Sequence, residues 1–295
     1  MLLLASAVAA SAVLLIARGD RTPRPTHTPA RHARYVPPAT TAPRALAATP
    51  AAAPQETPAA SARAPAGQTL ATVAPTTGAR LAIIIDDCGQ WTETERGFIA
   101  LPVALTMSVL PYMRYGSQIA RDADAAGKGV MMHLPMEPLS GIDPGPGRIT
   151  VAMGDDAIAK QVNDDLAAVP LAAGVNNHEG SRATADDRVM RDVAAVLAQH
   201  HVFFVDSRTS AATVAERVTS AAGVPTARRD VFLDDVAEVA ATEAQLRRAA
   251  ALAKAHGSAI AIGHPRPTTL VAVRALLPEL AGAGITLVLA RDLVR

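Results

Sequence analysis

From residue 79 onward, short apolar runs of four to seven residues alternate with amphipathic stretches of ten to sixteen. Short, continuously apolar runs suit strands buried on both faces, and a helical period between them suits crossover helices. The pattern predicts strands near 80–86, 105–110, 129–134, 172–176, 202–206, 230–234, 258–263 and 285–289. Helices are expected between them, among others from Asp155 to Ala168, Ala185 to Gln199, Thr242 to Ala255 and Thr268 to Ala281. About eight such steps in roughly 217 residues predict an α/β fold, a distorted or incomplete β/α barrel of parallel strands. An open doubly wound sheet is the alternative, although no glycine fingerprint for a dinucleotide follows the first strand. The Pro/Gly-rich stretch from Pro135 to Thr150 is long for such a fold and is expected to wall a cleft.

The first 78 residues break this pattern. Residues 1–17 are apolar and uncharged, at the short end of what spans a bilayer, and read as a signal peptide or signal anchor. The run lacks the usual preceding lysine or arginine, and the arginines that follow it favour retention on the inner side. A long Pro/Ala/Thr tether before a folded domain argues the other way, for export to a periplasm or cell envelope, with inner-membrane anchoring if the leader stays. That tether, residues 18–78, holds eleven of the 22 prolines and almost no large apolar residues, so it is expected to be a disordered spacer. The domain predicted to fold is 79–295.

Charge divides at the same place. Residues 18–80 carry eight arginines against Asp20 and Glu56, which leaves 20 basic and 25 acidic residues for the remainder. The overall charge of +1 thus hides an acidic folded part, which argues against nucleic acid as a partner. Cys88 is the only cysteine, so no intramolecular disulfide staples the fold, and it reads as a small packed residue.

The chemistry gathers at the ends of the predicted strands. Asp86 and Asp87 close the run Leu81–Ile85, and two adjacent carboxylates at an apolar strand end call for a cation or a shared proton. Strand alternation would send them apart unless the chain has already turned. His133, His178 and His264 each follow a short apolar run. The C-terminal ends of parallel barrel strands converge on one face, so these residues are expected to meet. Trp91, the single tryptophan, is either a sugar-stacking residue or core.

The ordered motifs IIIDD, HLPMEP, NNHEGS, FFVDSRT, RRDVFLD and AIGHP resemble the divergent polysaccharide deacetylase family, from about residue 80 to the C-terminus. The resemblance implies a metal-dependent hydrolase that removes acetyl groups from amino sugars of a carbohydrate polymer. It also implies roles: Asp86 as general base, Asp87 and His133 as ligands of a divalent metal, with zinc best suited, and His264 as the acid for the leaving amine. Asp206 would orient catalytic groups from behind. The wider deacetylase group has a second histidine four residues after the first; here Glu137 stands there. His178 is expected to complete the metal set, with Glu137 as the substitute. Asn177, Ser181, Arg208, Arg229 and Asp230 are expected to bind substrate or support the site, the last two as a charge pair. The competing reading is a catalytically silent carbohydrate-binding or scaffold protein on the same barrel.

Overall fold

The computed structural model describes residues 78–90 and 92–295. The expected leader, the spacer and Trp91 lie outside the described residues. Among the described residues nine strands and seven α-helices follow one another: β1 (Ala79–Cys88), α1 (Thr92–Ile99), β2 (Thr106–Val109), α2 (Gly116–Ala125), β3 (Gly129–Met136), α3 (Asp155–Ala168), β4 (Gly174–Glu179), α4 (Asp187–His200), β5 (Phe203–Asp206), α5 (Ala215–Ala221), β6 (Thr226–Arg228), β7 (Val231–Phe232), α6 (Val239–His256), β8 (Ser258–Gly263), α7 (Pro267–Gly282) and β9 (Ile285–Val288). Eight strands follow the order β6-β5-β4-β3-β2-β1-β8-β7, all pairs parallel. The sheet curls into a half-open barrel whose ends, β6 and β7, are edges. The ninth strand pairs with the first half of β1, Ala79–Ala82, below the point where β2 begins to pair at Ile84. The Ala290 N–H then caps the start of β2 through the Thr106 hydroxyl at 3.0 Å.

Two apolar layers follow from the alternation of side chains along each strand. Leu81, Ile83 and Ile85 of β1 face outward with Met107, Met132, Val175 and Phe204, packed under the helices. Ala82 and Ile84 face inward with Met131, Phe203, Val205, Ile260 and Ile262, filling the barrel floor; Ala290 and Leu293 close it. Gly174 is required there, because a Cβ at that position would strike the Phe203 ring. Among the described residues no helix is long and apolar enough to cross a membrane.

The loop after β3 does not wall the barrel mouth as expected. It turns back to pair with the strand it left, with the Ile149 N–H on the Pro135 carbonyl and the Glu137 N–H on the Ile149 carbonyl, both at 2.9 Å. Gly147 is pressed against Asp165 of α3 and the Tyr112 ring, where no side chain would fit. Asp165 is fully buried; Oδ1 accepts from Gln161 at 2.9 Å and Oδ2 has no hydrogen-bond partner. Burial pushes this carboxyl up to about 7, against the hydrogen bonds of Gln161 and Tyr112. A carboxyl raised on folding binds its proton more tightly in the folded state, so its contribution to stability is full below about pH 4, falls as pH rises from about 4 to 7, and is lost above 7. Asp165→Asn is therefore expected to melt higher than wild type at pH 8.5, by on the order of 2 kcal/mol or a few degrees. At pH 5.5 the gap should be about half as large and near pH 4 it should close, and an equal gap at pH 8.5 and pH 4 would remove Asp165 as the cause.

Candidate metal centre and cleft

The inward rows of the barrel carry apolar residues at the floor and polar residues at the top. On β1 the row runs Ala82, Ile84, Asp86; on β3, Met131, His133; on β5, Phe203, Val205 and then Ser207; on β8, Ile260, Ile262 and then His264. On β4 the same parity selects Asn176 and His178. The mouth above these tops is a cleft of about 840 Å³, lined among others by Asp86, Asp87, His133, His178, Arg229 and His264.

Asp86 and Asp87 both reach this cleft because the strand breaks its alternation between them. The β1–β2 register slips between Ile85 and Cys88, a bulge, and Asp87 takes the left-handed conformation at φ 56°. Cys88 then packs behind the site, its thiol raised by burial and its sulfur directed at the Ile85 carbonyl. Glu95 of α1 accepts the Gly89 and Gln90 N–H groups at 2.8 and 3.1 Å and so fixes the turn after the bulge.

Asp87 Oδ1 lies 3.0 Å from His178 Nδ1 and 3.3 Å from His133 Nε2, and those two nitrogens are 3.2 Å apart. Oδ1 is buried and makes no geometrically sound hydrogen bond to either. Three metal-type donor atoms within 4.8 Å of one another have the spacing that a cation requires. Bonds of about 2.0–2.1 Å to a tetrahedral zinc would set its ligands about 3.4 Å apart, close to these spacings. Asp87, His133 and His178 could therefore hold a divalent metal. Burial acts to raise the Asp87 carboxyl, but the two imidazoles outweigh it and hold the group well below the usual carboxylate range. His133 moves up to about 9, where Asp86 and Asp87 overcome its burial.

Asn176 organises the buried side of this centre. Its Nδ2 donates to both oxygens of Asp86 at 2.9 and 3.0 Å and to Ser207 at 3.1 Å. Its Oδ1 accepts from the Ser108 hydroxyl at 2.5 Å and faces His133 Nδ1 at 3.0 Å. With the amide oriented by Asp86, Asn176 Oδ1 accepts from His133 Nδ1, so the neutral ring, the form that ligates a metal, turns its Nε2 lone pair to the cleft. Asp86 is 3% exposed, and burial raises its carboxyl against the pull of His133 and His264.

Across the cleft, His264 is held by Asp234. His264 Nδ1 lies 2.9 Å from Asp234 Oδ1, and Asp234 Oδ2 accepts the His264 N–H at 2.8 Å and the Thr269 hydroxyl at 2.6 Å. Arg266 closes on the Asp234 carbonyl. Despite burial, His264 is raised by Asp234 and by the two aspartates opposite; its Nε2 faces Asp87 Oδ2 at 3.8 Å.

The structure corrects several sequence expectations. Asp206 gives its oxygens to the Arg208 N–H at 2.8 Å and the Thr213 hydroxyl at 3.0 Å, bracing the β5–α5 turn. Asp234 holds the histidine instead. Glu137 is turned from the metal set, with one oxygen on Arg182 and the other on the Val151 N–H, both at 2.8 Å. Ser181 accepts the Leu139 N–H and fastens the same loop. Arg229 and Asp230 are not an ion pair. Arg229 donates to the Ser207 and Arg208 carbonyls at 2.7 and 3.1 Å and sits over the Phe232 ring, while Asp230 accepts the Ile260 N–H. Asn177 ties the β4 and β5 ends through the Ser207 N–H and the Glu179 carbonyl. Arg208 lines the cleft.

The chain belongs to the divergent polysaccharide deacetylase family, whose family model matches residues 83–294. It is 36% identical over 201 residues to an uncharacterized protein of Haemophilus influenzae, covering 68% of this chain and 72% of that one. It is likewise 36% identical over 225 residues to the uncharacterized protein YibQ of Escherichia coli, covering 76% and 70%. The crystal structure of the uncharacterized protein ATU2773 from Agrobacterium tumefaciens shares the fold, with a TM-score of 0.70 at 23% identity over 75% of this chain and 91% of that one.

Proposed function

We propose that this protein is an exported, zinc-dependent hydrolase that removes acetyl groups from N-acetylated amino sugars of a cell-envelope polysaccharide. The observation that carries this reading is the convergence of three metal-type donors between a buried carboxylate on one side and a carboxylate-held histidine on the other. Asp87, His133 and His178 would hold the metal, which supplies polarisation of the acetyl carbonyl and a more acidic water. Asp86 takes the proton of the attacking water: it stands beside the donor set without belonging to it, and burial makes it a stronger base than an exposed aspartate. Asn176 keeps that carboxylate aimed. His264, whose proton affinity Asp234 raises, gives its proton to the amine nitrogen as the C–N bond breaks. Acetate and a free amino sugar leave. Two adjacent carboxylates with their proton affinities driven apart, Asp86 up and Asp87 down, are the arrangement that acid–base hydrolysis needs.

The test is metal content and acetate release measured on the same full-length protein. About one zinc per chain, acetate released from N-acetylglucosamine oligomers or peptidoglycan, loss of release on chelation and recovery on adding zinc are the expected results. Bound zinc without acetate from any N-acetylated glycan would favour the silent carbohydrate-binding reading, and a metal-free, inactive protein would overturn both metal and mechanism.

A further inference from the structure

The cleft is divided by charge. The metal-type donors come from β1, β3 and β4, whereas four arginines, Arg208, Arg229, Arg248 and Arg266, line the part built from β5 to β8. Two of these follow another arginine in sequence, and the pairs behave differently. Arg228 holds Glu216 at 3.3 Å and Arg247 holds Glu279 at 2.9 Å, while their neighbours Arg229 and Arg248 turn to the cleft without a carboxylate. Among the described residues none of the four cleft guanidinium groups has a carboxylate within 4.0 Å, although Glu179 and Asp235 share the same rim. Arg229 is partly buried; the Arg208 charge opposes its own, while Asp86, Asp206 and Asp230 act on it from beyond ion-pair distance. Like charges gathered in a concave site without direct ion-pair partners are complementary to an anion.

We propose that the arginine side of the cleft is a subsite for an anionic substituent, a sugar carboxylate or phosphate, carried by the substrate next to the acetylated residue. This rests on the deacetylase reading of the same cleft and narrows it to acidic polysaccharides. Arg208 and Arg248, exposed and without ion-pair partners, would meet the anion first, with Arg229 behind them.

The experiment compares three tetrasaccharide probes by calorimetry on the zinc-loaded full chain: neutral tetra-N-acetylglucosamine, alternating N-acetylglucosamine and glucuronate, and the neutral tetramer bearing one 6-phosphate. At least one anionic probe is expected to bind about tenfold tighter than the neutral one, with a preference that shrinks as salt is raised. Which one does separates carboxylate from phosphate. In an R208Q/R248Q variant, confirmed folded by its melting curve and zinc content, that preference should vanish. Equal affinity for all three probes, or a preference untouched in the variant, overturns the subsite. Acetate release on the same samples keeps the two readings apart: release without anion preference sinks only the subsite, and preference without release sinks only the deacetylase.

Discussion

His178→Ala is expected to purify with less than about a tenth of the wild-type zinc and to release no measurable acetate, whereas Glu137→Gln should keep its metal. The spacing of Glu137 from His133 invites the opposite expectation, because a donor four residues on is where the wider deacetylase group places a ligand. In this chain β3 continues through Pro135 to Met136, and Glu137 is spent on Arg182 and the Val151 N–H, both at 2.8 Å. His178 instead brings Nδ1 to 3.0 Å from Asp87 Oδ1, so its removal leaves two donors and an orphaned carboxylate oxygen. Two donors do not make a competent zinc site. Elemental analysis of both variants decides it: metal kept in His178→Ala and lost in Glu137→Gln would falsify the donor set.

Asp86→Asn should separate metal binding from chemistry. The substitution keeps the size of the side chain and an oxygen for Asn176 to hold, but removes the group that accepts a proton. Zinc content is expected to stay near one per chain while kcat falls by about 10²–10⁴-fold with little change in KM, the range for loss of a positioned general base. Asp86 Oδ2 also lies 3.6 Å from His133 Nε2, which makes the variant informative in the other direction. Loss of zinc along with activity would make Asp86 a ligand, and retained activity would take away its role as base.

The barrel was legible because parallel strands buried on both faces leave uninterrupted apolar runs, and all eight expected strands overlap observed ones, with β6 alone among the described strands unforeseen. The difficulty was at the open edge. β6 is the half-exposed Thr226–Arg228, which carries no apolar run, and the run near 230–234 forms only the two-residue strand Val231–Phe232, with the Leu233 N–H extending the pairing to Ile262. Edge strands that pair on one side need less hydrophobicity, so their signal fades. In the site, strand-end histidines and the aspartate pair announced themselves by type. Asn176 did not, although period-two alternation from His178 points straight to it; Asn177, chosen for its neighbourhood, has the wrong parity. Asp206 and Asp234 both follow an apolar run, and nothing local distinguishes an aspartate that braces a turn from one that steadies a histidine. Only the register of β8 beside β7, which sets Phe232 against Ile262, brings Asp234 to His264.

Three non-glycine residues at the rim, Asp87 after the β1 bulge, Glu179 at the end of β4 and Arg208 after β5, hold positive φ angles of 56°, 52° and 51°. Each of these conformations costs about 1 kcal/mol relative to glycine. A selection for thermal tolerance alone would therefore drift toward glycine at all three, relaxing the backbone while stripping a metal donor and two charges from the mouth of the cleft. Stability and use pull in opposite directions at these positions, and a hardened version of this protein would have to find its gains elsewhere, beginning with the buried carboxyl of Asp165.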